Sequence, residues 1–202
     1  MLWYKRFMRN PTRAQAFVRD IAKAVPVVEM TDEDDIAFRI ILPHHAYIDG
    51  EFDYLSEPPT AELKYLTVPN GIEHHGVGTR LVQSFFALCE LNGIGAVDSK
   101  IINPTALRIR SHLLGEAALH ISDDVDGDIV ELPLSVEQAC GSMARAELWV
   151  THYRTYENWA EADRIDTGFF VRVLMEDVNT TGWEIPAFAD ENDHSYNLPL
   201  AA

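Results

Sequence analysis

Apolar residues recur every three to four positions in several stretches of the chain, and this spacing places side chains on one face of a helix. The pattern predicts helices over residues 12–24, 79–91, 106–114, 135–146 and 156–165. Asn103 is expected to cap the third of these helices and Gly115 to close it, because these residue types are favoured at helix starts and ends.

Other stretches alternate apolar and polar residues or are apolar throughout, as strands are. They predict strands over residues 36–42, 61–68, 95–102, 117–121, 129–134, 147–153 and 168–175. The Asp49-Gly50 pair is typical of a hairpin turn and predicts one inside residues 47–54. The His44-His45 pair is interpreted as part of a loop.

Length and composition suit one globular domain. The chain has 202 residues, of which 47% are hydrophobic, and such a chain can form a core without disulfides or metals. We predict a domain over residues 1–176 and an acidic, polar tail over residues 177–202. Cys89 and Cys140 lie in apolar, helix-like stretches where a reduced, buried thiol is common, although a bridge between them is left open. No metal site is indicated.

Charge is distributed unevenly along the chain. Residues 1–115 hold 14 acidic and 12 basic side chains, whereas residues 116–202 hold 18 acidic and 4 basic ones. This excess of carboxylates argues against direct binding of nucleic acid or of an anionic membrane, since both require Lys and Arg. It favours a cationic substrate or a basic protein partner, and it also suits a solvated acidic face.

Neither a secretory signal nor a membrane span is predicted. The first residues lack the apolar segment of a signal peptide, and no apolar run approaches the length that crosses a bilayer. We therefore expect a soluble, cytoplasmic protein. Its oligomeric state is left open, with a homodimer as one option.

The stretch that is most informative about chemistry is residues 61–115, predicted as strand, glycine-containing loop, helix, strand and helix. Gly76 and Gly78 leave backbone N–H groups accessible just before a helix, whose positive end attracts phosphate. The loop lacks the Lys and Ser/Thr of a Walker motif and the third glycine of a dinucleotide fingerprint. It therefore predicts an anion site of another kind.

Two stretches resemble the acetyl-CoA-binding motifs of the GNAT superfamily of N-acetyltransferases. Residues 61–81, AELKYLTVPNGIEHHGVGTRL, match the strand–loop–helix junction of the family, with Gly76 and Gly78 at its two small positions. Residues 102–115, INPTALRIRSHLLG, are similar to its second motif, with Asn103, Ala106 and Gly115 in place.

The resemblance implies an α/β fold with a mixed, mostly antiparallel sheet and helices on both faces, to which this chain adds an acidic C-terminal elaboration. It also implies acetyl-CoA as the cofactor, with its pyrophosphate in the loop and its pantetheine arm paired with the preceding strand. The cofactor-binding residues that it implies are Leu66, Thr67, Val68, Glu73, His74, His75, Gly76, Val77, Gly78, Thr79 and Asn103.

The loop departs from the family pattern at three of these positions. Glu73 stands where the family has Gln or Arg, so a carboxylate would face the pyrophosphate unless it turns outward. His74 and His75 replace small or basic residues, and they either donate to phosphate or lie exposed as ordinary loop residues.

The resemblance also implies catalytic residues. Glu62 stands on the strand where histone-acetyltransferase-like members carry a general-base Glu, which takes the proton of the attacking amine. The alternative is an exposed strand carboxylate paired with Lys64, and Glu51 and Asp53 are fallback bases.

A second catalytic candidate comes from the helix after Asn103. The family usually has a Tyr there that protonates the departing thiolate, whereas this chain has Arg110-Ser111-His112. Ser111 or His112 would take its place.

The leading hypothesis is an N-acetyltransferase that moves the acetyl group of acetyl-CoA to a primary amine by direct attack in a ternary complex. The acceptor would be an amine-bearing small molecule such as a polyamine, or a Lys-containing basic protein. The alternative is a GNAT-like fold with a degenerate active site, whose acidic C-terminal half binds a basic or DNA-binding partner.

Overall fold

The computed structural model describes residues 11–31, 36–69, 75–125 and 128–189. The helices in these ranges are α1 (Pro11–Lys23), α2 (Val77–Leu91), α3 (Pro104–Leu114), α4 (Val136–Thr155) and α5 (Trp159–Ala162). The strands are β1 (Val27–Met30), β2 (Ala37–Leu42), β3 (Ala46–Asp53), β4 (Thr60–Thr67), β5 (Ala96–Ile101), β6 (Leu119–Val125), β7 (Asp128–Glu131), β8 (Phe169–Leu174) and β9 (Ala187–Phe188). Single 3-10 turns occur at Glu116–Ala118 and Met175–Asp177.

The nine strands form one mixed sheet in the order β7-β6-β8-β5-β4-β3-β2-β1-β9. The pairs β1–β9 and β4–β5 are parallel, whereas β1–β2, β2–β3, β5–β8, β6–β7 and β6–β8 are antiparallel. The predicted α/β class with a mixed sheet is therefore confirmed. Because parallel strands need a long connection, β4 and β5 are joined through α2.

The structure divides into two compact units. The first unit comprises the described residues of Met1–Asp53, Leu63–Gly93 and Thr180–Ala202. Aromatic rings fill its core: Phe38 lies 4.4 Å from Phe52 and 5.5 Å from Phe85 between ring centroids. Ten of the fifteen residues of the α2 helix are buried, because its apolar stripe is wide.

The second unit comprises Tyr54–Glu62 and Ile94–Asn179. In this unit α3 and α4 pack on each other, and α3 also packs on strand β5. Buried side chains of this unit include Val97, Leu107, Ile121, Met143 and Val171.

The predicted hairpin turn at Asp49-Gly50 is wrong. Both residues lie inside β3, and the turn is five residues earlier, where His44 and His45 have φ of 65° and 62°. Gly50 is a glycine for another reason: a Cβ there would lie 2.5 Å from the ring of Phe85 and 2.6 Å from that of Phe38. Its missing side chain makes room for the aromatic core.

The predicted strand over residues 147–153 is also wrong, because α4 continues to Thr155. Trp149, Val150 and Tyr153 favour strands locally, but on the helix the rings of Trp149 and Tyr153 lie 6.1 Å apart at i and i+4. The predicted helix over residues 156–165 shrinks to the single turn of α5.

Part of the predicted tail belongs to the first unit. The β9 strand pairs with β1, and the N–H of Ala187 donates to the carbonyl of Pro26 at 2.9 Å. Residues 190–202 of the predicted tail lie outside the described residues.

Cys89 and Cys140 are both free and buried, which confirms the prediction of reduced thiols. Burial raises the pKa of both thiols, so neither is a reactive thiolate at neutral pH. Within the described ranges, no helix combines the length and the apolar character that crossing a bilayer requires.

Candidate functional site

The start of α2 carries backbone donors that have no acceptor in the part of the chain that the structure describes. Gly76 precedes the helix with φ of 77°, and no side chain caps it. The first-turn N–H groups of Val77, Gly78 and Thr79 have no acceptor among the described residues, and the first helical bond runs from the Arg80 N–H to the Gly76 carbonyl at 2.9 Å. Since first-turn donors otherwise need a side chain, water or a ligand, this end of the helix can hold an anion.

Arg80 lies beside these donors but is committed elsewhere. Its guanidinium donates to the carbonyls of Ile21 and Ala24 at the C-terminal end of α1. It also pairs with Glu184, whose Oε2 lies 3.1 Å from Nε. Because these contacts neutralise the charge and use the donors, Arg80 serves to hold the first unit together.

The other cofactor candidates of the first unit lie in the same stretch of chain. Leu66, Thr67 and Val68 are half-buried at the end of β4, and His75 is exposed. Glu73 and His74 lie outside the described residues.

Asn103 has a structural task. Its side-chain oxygen accepts from the N–H of Thr105 at 2.8 Å, and Pro104 follows at the first helical position. This confirms the predicted N-cap. The side-chain oxygen of Asn103, a residue predicted to bind the cofactor, is therefore already used by the cap.

Glu62 stands at one end of a row of ionisable residues across the second unit. The strand registers place Glu62 beside Asp98, Asp98 beside Arg172, and Arg172 beside His120. Arg172 holds both oxygens of Asp98 at 2.7 Å. We call Glu62, Asp98, Arg172 and His120 the polar row.

Within the polar row, Glu62 differs from its neighbours. Asp98 and Arg172 neutralise each other, which raises the pKa of Arg172, and His120 contacts Glu131 at 3.1 Å. Glu62 is exposed and has no ion-pair partner among the described residues. The predicted alternative, pairing with Lys64, is not found, because Lys64 binds Glu51.

The α3 helix places Arg110, not Ser111, against the sheet. Arg110 is 5% exposed and donates to the hydroxyl of Ser99 on β5, which in turn donates to the carbonyl of Val171 at 3.3 Å. Burial lowers the pKa of Arg110 to about 10, so it remains a cation at neutral pH. No carboxylate in the described part of the chain pairs with it.

The two catalytic candidates are therefore not brought together. Asp98 and Ser99 are consecutive on β5, so their side chains point to opposite faces of the sheet. Glu62 shares the face of Asp98, whereas α3 with Ser111 and Arg110 packs on the face of Ser99. Ser111 is half-buried and His112 is exposed.

Arg110 is the residue that sequence reasoning missed. It follows the buried Leu107 by three positions, which places both on one helix face. Ser99 lies between Val97 and Ile101 on the apolar face of its strand. These two spacings together could have predicted a buried polar pair.

No group of three His, Cys, Asp or Glu side chains arranged to hold a metal ion occurs within the residues that the structure describes. The chain matches no known protein-family model, and it matches no curated protein.

Proposed function

We propose that this protein is an acetyl-CoA-dependent N-acetyltransferase of the GNAT type, with the CoA pyrophosphate at the N-terminus of α2. The observation that carries the proposal is the group of three N–H donors on Val77, Gly78 and Thr79, which have no acceptor among the described residues. These residues form the first turn of a 15-residue helix that connects the parallel strands β4 and β5, in the stretch whose sequence resembles the acetyl-CoA motif.

The residues present suit this cofactor. Backbone N–H groups and the positive helix end favour a pyrophosphate without need of a basic side chain. The half-buried Leu66, Thr67 and Val68 offer a strand end for the pantetheine arm. Bound acetyl-CoA supplies an acetyl group activated as a thioester.

Glu62 would act as the general base. An attacking amine must lose a proton, and an exposed carboxylate with no competing cation can accept it directly or through water. The neighbouring Asp98 is neutralised by Arg172, so this pair adds no net charge beside Glu62.

Arg110 does not take part in this step. Its guanidinium is buried against Ser99, on the face of the sheet opposite to Glu62.

The proposal is tested by measuring CoA release from acetyl-CoA in the presence of primary amines. Glu62→Gln should lower kcat by about a hundredfold or more, as loss of a general base does, and should leave acetyl-CoA affinity unchanged. Glu90→Gln, at an exposed position near the end of α2, is the matched control and should behave as wild type. Unchanged kcat in Glu62→Gln would remove the assignment of the base.

A second candidate function is an interaction module without catalysis. The β6–β7 hairpin supports it, because every residue of β7 is exposed and Asp124, Asp128 and Glu131 lie on the hairpin together with exposed Ile129. This candidate predicts no binding of acetyl-CoA and a complex with a basic protein that weakens steeply with salt.

A further inference from the structure

The second half of α4 carries apolar side chains that the described part of the second unit does not cover. All buried residues of the helix lie before residue 144, namely Val136, Ala139, Cys140 and Met143. From residue 144 to its end at Thr155, every side chain is exposed or half-buried. Because the apolar side of a helix is normally packed against a core, this half of α4 has surface left for a partner.

The uncovered side chains form one continuous stripe. Residues at spacings of three, one, three, one and three positions lie on one side of a helix. They are Arg145, Leu148, Trp149, His152, Tyr153 and Tyr156, which we call the α4 stripe. Leu148 is 70% exposed, Trp149 56% and Tyr156 72%. A cleft of about 340 Å³ opens along the first part of the stripe.

The aromatic rings of the α4 stripe support one another. The ring of His152 lies 5.8 Å from that of Trp149 and 4.8 Å from that of Tyr156 between centroids. Side chains that are already held in place lose less conformational entropy when a partner binds. The stripe is therefore a surface arranged in advance for contact.

The area of the α4 stripe suits a dimer interface. At about 200 Å² for a whole large side chain, the exposed parts of Leu148, Trp149 and Tyr156 amount to about 400 Å². A standard interface takes about 800 Å² from each partner, and a little more than half of that is apolar. These three side chains thus supply most of the apolar area that one partner needs.

Charge along the α4 stripe favours a second copy of this chain. The chain has a net charge of −16, so two copies repel each other wherever their carboxylates meet. The stripe has no carboxylate, and Glu147 lies on the other side of the helix, because two positions correspond to about 200° of turn. The stripe is therefore a place where two acidic chains can approach closely.

The α4 stripe is also complementary to itself. In a symmetric dimer the same surface meets itself about a two-fold axis. If two copies of α4 run antiparallel with this axis at the middle of the stripe, residues whose numbers sum to 301 face each other. The facing pairs are Arg145 with Tyr156, Leu148 with Tyr153, and Trp149 with His152.

Each facing pair is a favourable contact. A guanidinium over a tyrosine ring is a cation–π pair, and the other two pairs bring aromatic and aliphatic surfaces together. The two Arg145 side chains are eleven residues apart along the paired helices, about 16 Å, which exceeds the screening length of physiological salt. The pairing thus places all six stripe residues without opposing like charges.

We propose that two copies of this chain form a symmetric dimer by pairing their α4 stripes antiparallel. The inference goes beyond the proposed function and does not depend on it, because no residue of the stripe is assigned to acetyl-CoA. A different protein as the occupant of the stripe would leave the purified chain monomeric.

Sedimentation equilibrium of the full chain tests the inference, and twice the mass of one chain is expected. Trp149→Ala should weaken the dimer at least about a hundredfold, because Trp is a typical hot-spot residue and a two-fold interface contains it twice. Trp159→Ala is the matched control, since Trp159 is also 56% exposed but lies on α5 outside the stripe. It should weaken the dimer less than about threefold.

Salt provides a second readout of the same equilibrium. Added salt screens the repulsion between two acidic chains and leaves apolar contact intact. The dimer should therefore become stronger as the salt concentration rises. A dimer held together by opposite charges would become weaker instead.

Mixing two variants tests the antiparallel pairing itself. Leu148→Glu and Tyr153→Lys each place unpaired charges in the interface, so each variant alone should be monomeric. In an equimolar mixture the new Glu faces the new Lys, and the mixture should recover twice the mass of one chain. A wild-type chain that is monomeric at sub-millimolar concentration, equal weakening by both Trp substitutions, a dimer weakened by salt, or a mixture that stays monomeric would overturn the inference.

Discussion

The helices α2 and α3 follow neighbouring parallel strands, yet their first turns differ. In α3 every early donor is used: Pro104 has no N–H, Thr105 donates to the side chain of Asn103, and Ala106 donates to the carbonyl of Asn103 at 3.0 Å. In α2 the three corresponding positions have no acceptor among the described residues, and a left-handed glycine takes the place of a capping side chain.

At the start of α4, side chains accept hydrogen bonds from the N–H groups of the first turn. Ser135 and Gln138 form a reciprocal capping box, and Glu116 accepts from the N–H of Val136 at 2.6 Å. The start of α2, where no such acceptor occurs among the described residues, therefore contrasts with two capped helix starts. Since unpaired donors are unfavourable without water or a ligand, the contrast supports the proposed anion site at this helix start.

Placing a carboxylate at Gly76, directly before the first turn of α2, should have the largest effect on acetyl-CoA binding. Gly76→Asp and Gly76→Asn both suit a left-handed residue better than most side chains do, and they differ by one negative charge. In Gly76→Asp this charge lies beside the N–H groups and repels the pyrophosphate, so acetyl-CoA should bind about a hundredfold more weakly than to Gly76→Asn. The same charge should stabilise the helix slightly. Calorimetry and thermal unfolding measure the two effects, and equal affinities in the two variants would contradict the assignment.

Arg110 provides the next test, because its buried guanidinium has no carboxylate partner among the described residues. Burial lowers its pKa to about 10, so at every pH below that value the buried charge makes folding less favourable. Arg110→Met removes this charge and should therefore leave the free energy of unfolding unchanged or raise it. Thermal unfolding measures the difference, and a loss of several kcal/mol would show that the bond from Arg110 to Ser99 stabilises the fold.

Removing the side-chain cap of α3 should lower the stability of the protein without changing acetyl-CoA binding. Asn103→Ala removes the cap of α3 and should reduce the free energy of unfolding by about 1 kcal/mol. Acetyl-CoA affinity should change less than twofold, because the side-chain oxygen of Asn103 is already bonded to Thr105. A larger loss of affinity would show that Asn103 also contacts the cofactor.

The smallest effect concerns the Asp166 carboxylate, a hydrogen-bond acceptor that lies outside the helices. The Asp166 carboxylate accepts from Lys100 at 2.7 Å and from the N–H of Gly168 at 2.9 Å. Burial acts in the opposite direction, but these bonds hold the pKa of Asp166 below its ordinary value. The stabilisation is therefore present above the unfolded pKa and is lost as pH falls through the lower, folded value.

Asp166→Asn should consequently lower the free energy of unfolding by less than about 1 kcal/mol at pH 7, as expected for a half-exposed pair. The difference from wild type should disappear in acid. Thermal unfolding at several pH values measures it, and a difference that grows in acid would contradict the assignment.

Most of the fold could be predicted from the chain because its signals are local. Alternation located β2, β4, β5 and β8, and Asn103 with Gly115 bounded α3. The role of Gly50 could not be predicted in this way. A glycine is needed there because a side chain would collide with the ring of Phe85, which is distant in sequence. The extension of α4 past residue 146 was missed because tertiary packing overrides the strand preference of Trp149 and Val150.

The candidate site was predicted less completely. Sequence located the glycines before α2, but whether a helix start is open depends on every acceptor around it. The partner of Glu62 could not be predicted, since the sheet register decides that Lys64 binds Glu51 and that Asp98 stands beside Glu62. The burial of Arg110 likewise depends on how α3 lies on β5.

The most direct test of the account follows backbone amide resonances by NMR while acetyl-CoA is added. Large shifts are expected for the amides of Val77, Gly78 and Thr79, and little change for Thr105, whose N–H is already bonded to Asn103. Binding that leaves residues 77–79 unshifted, or that shifts Thr105 equally, would contradict the claim that the open start of α2 holds the pyrophosphate.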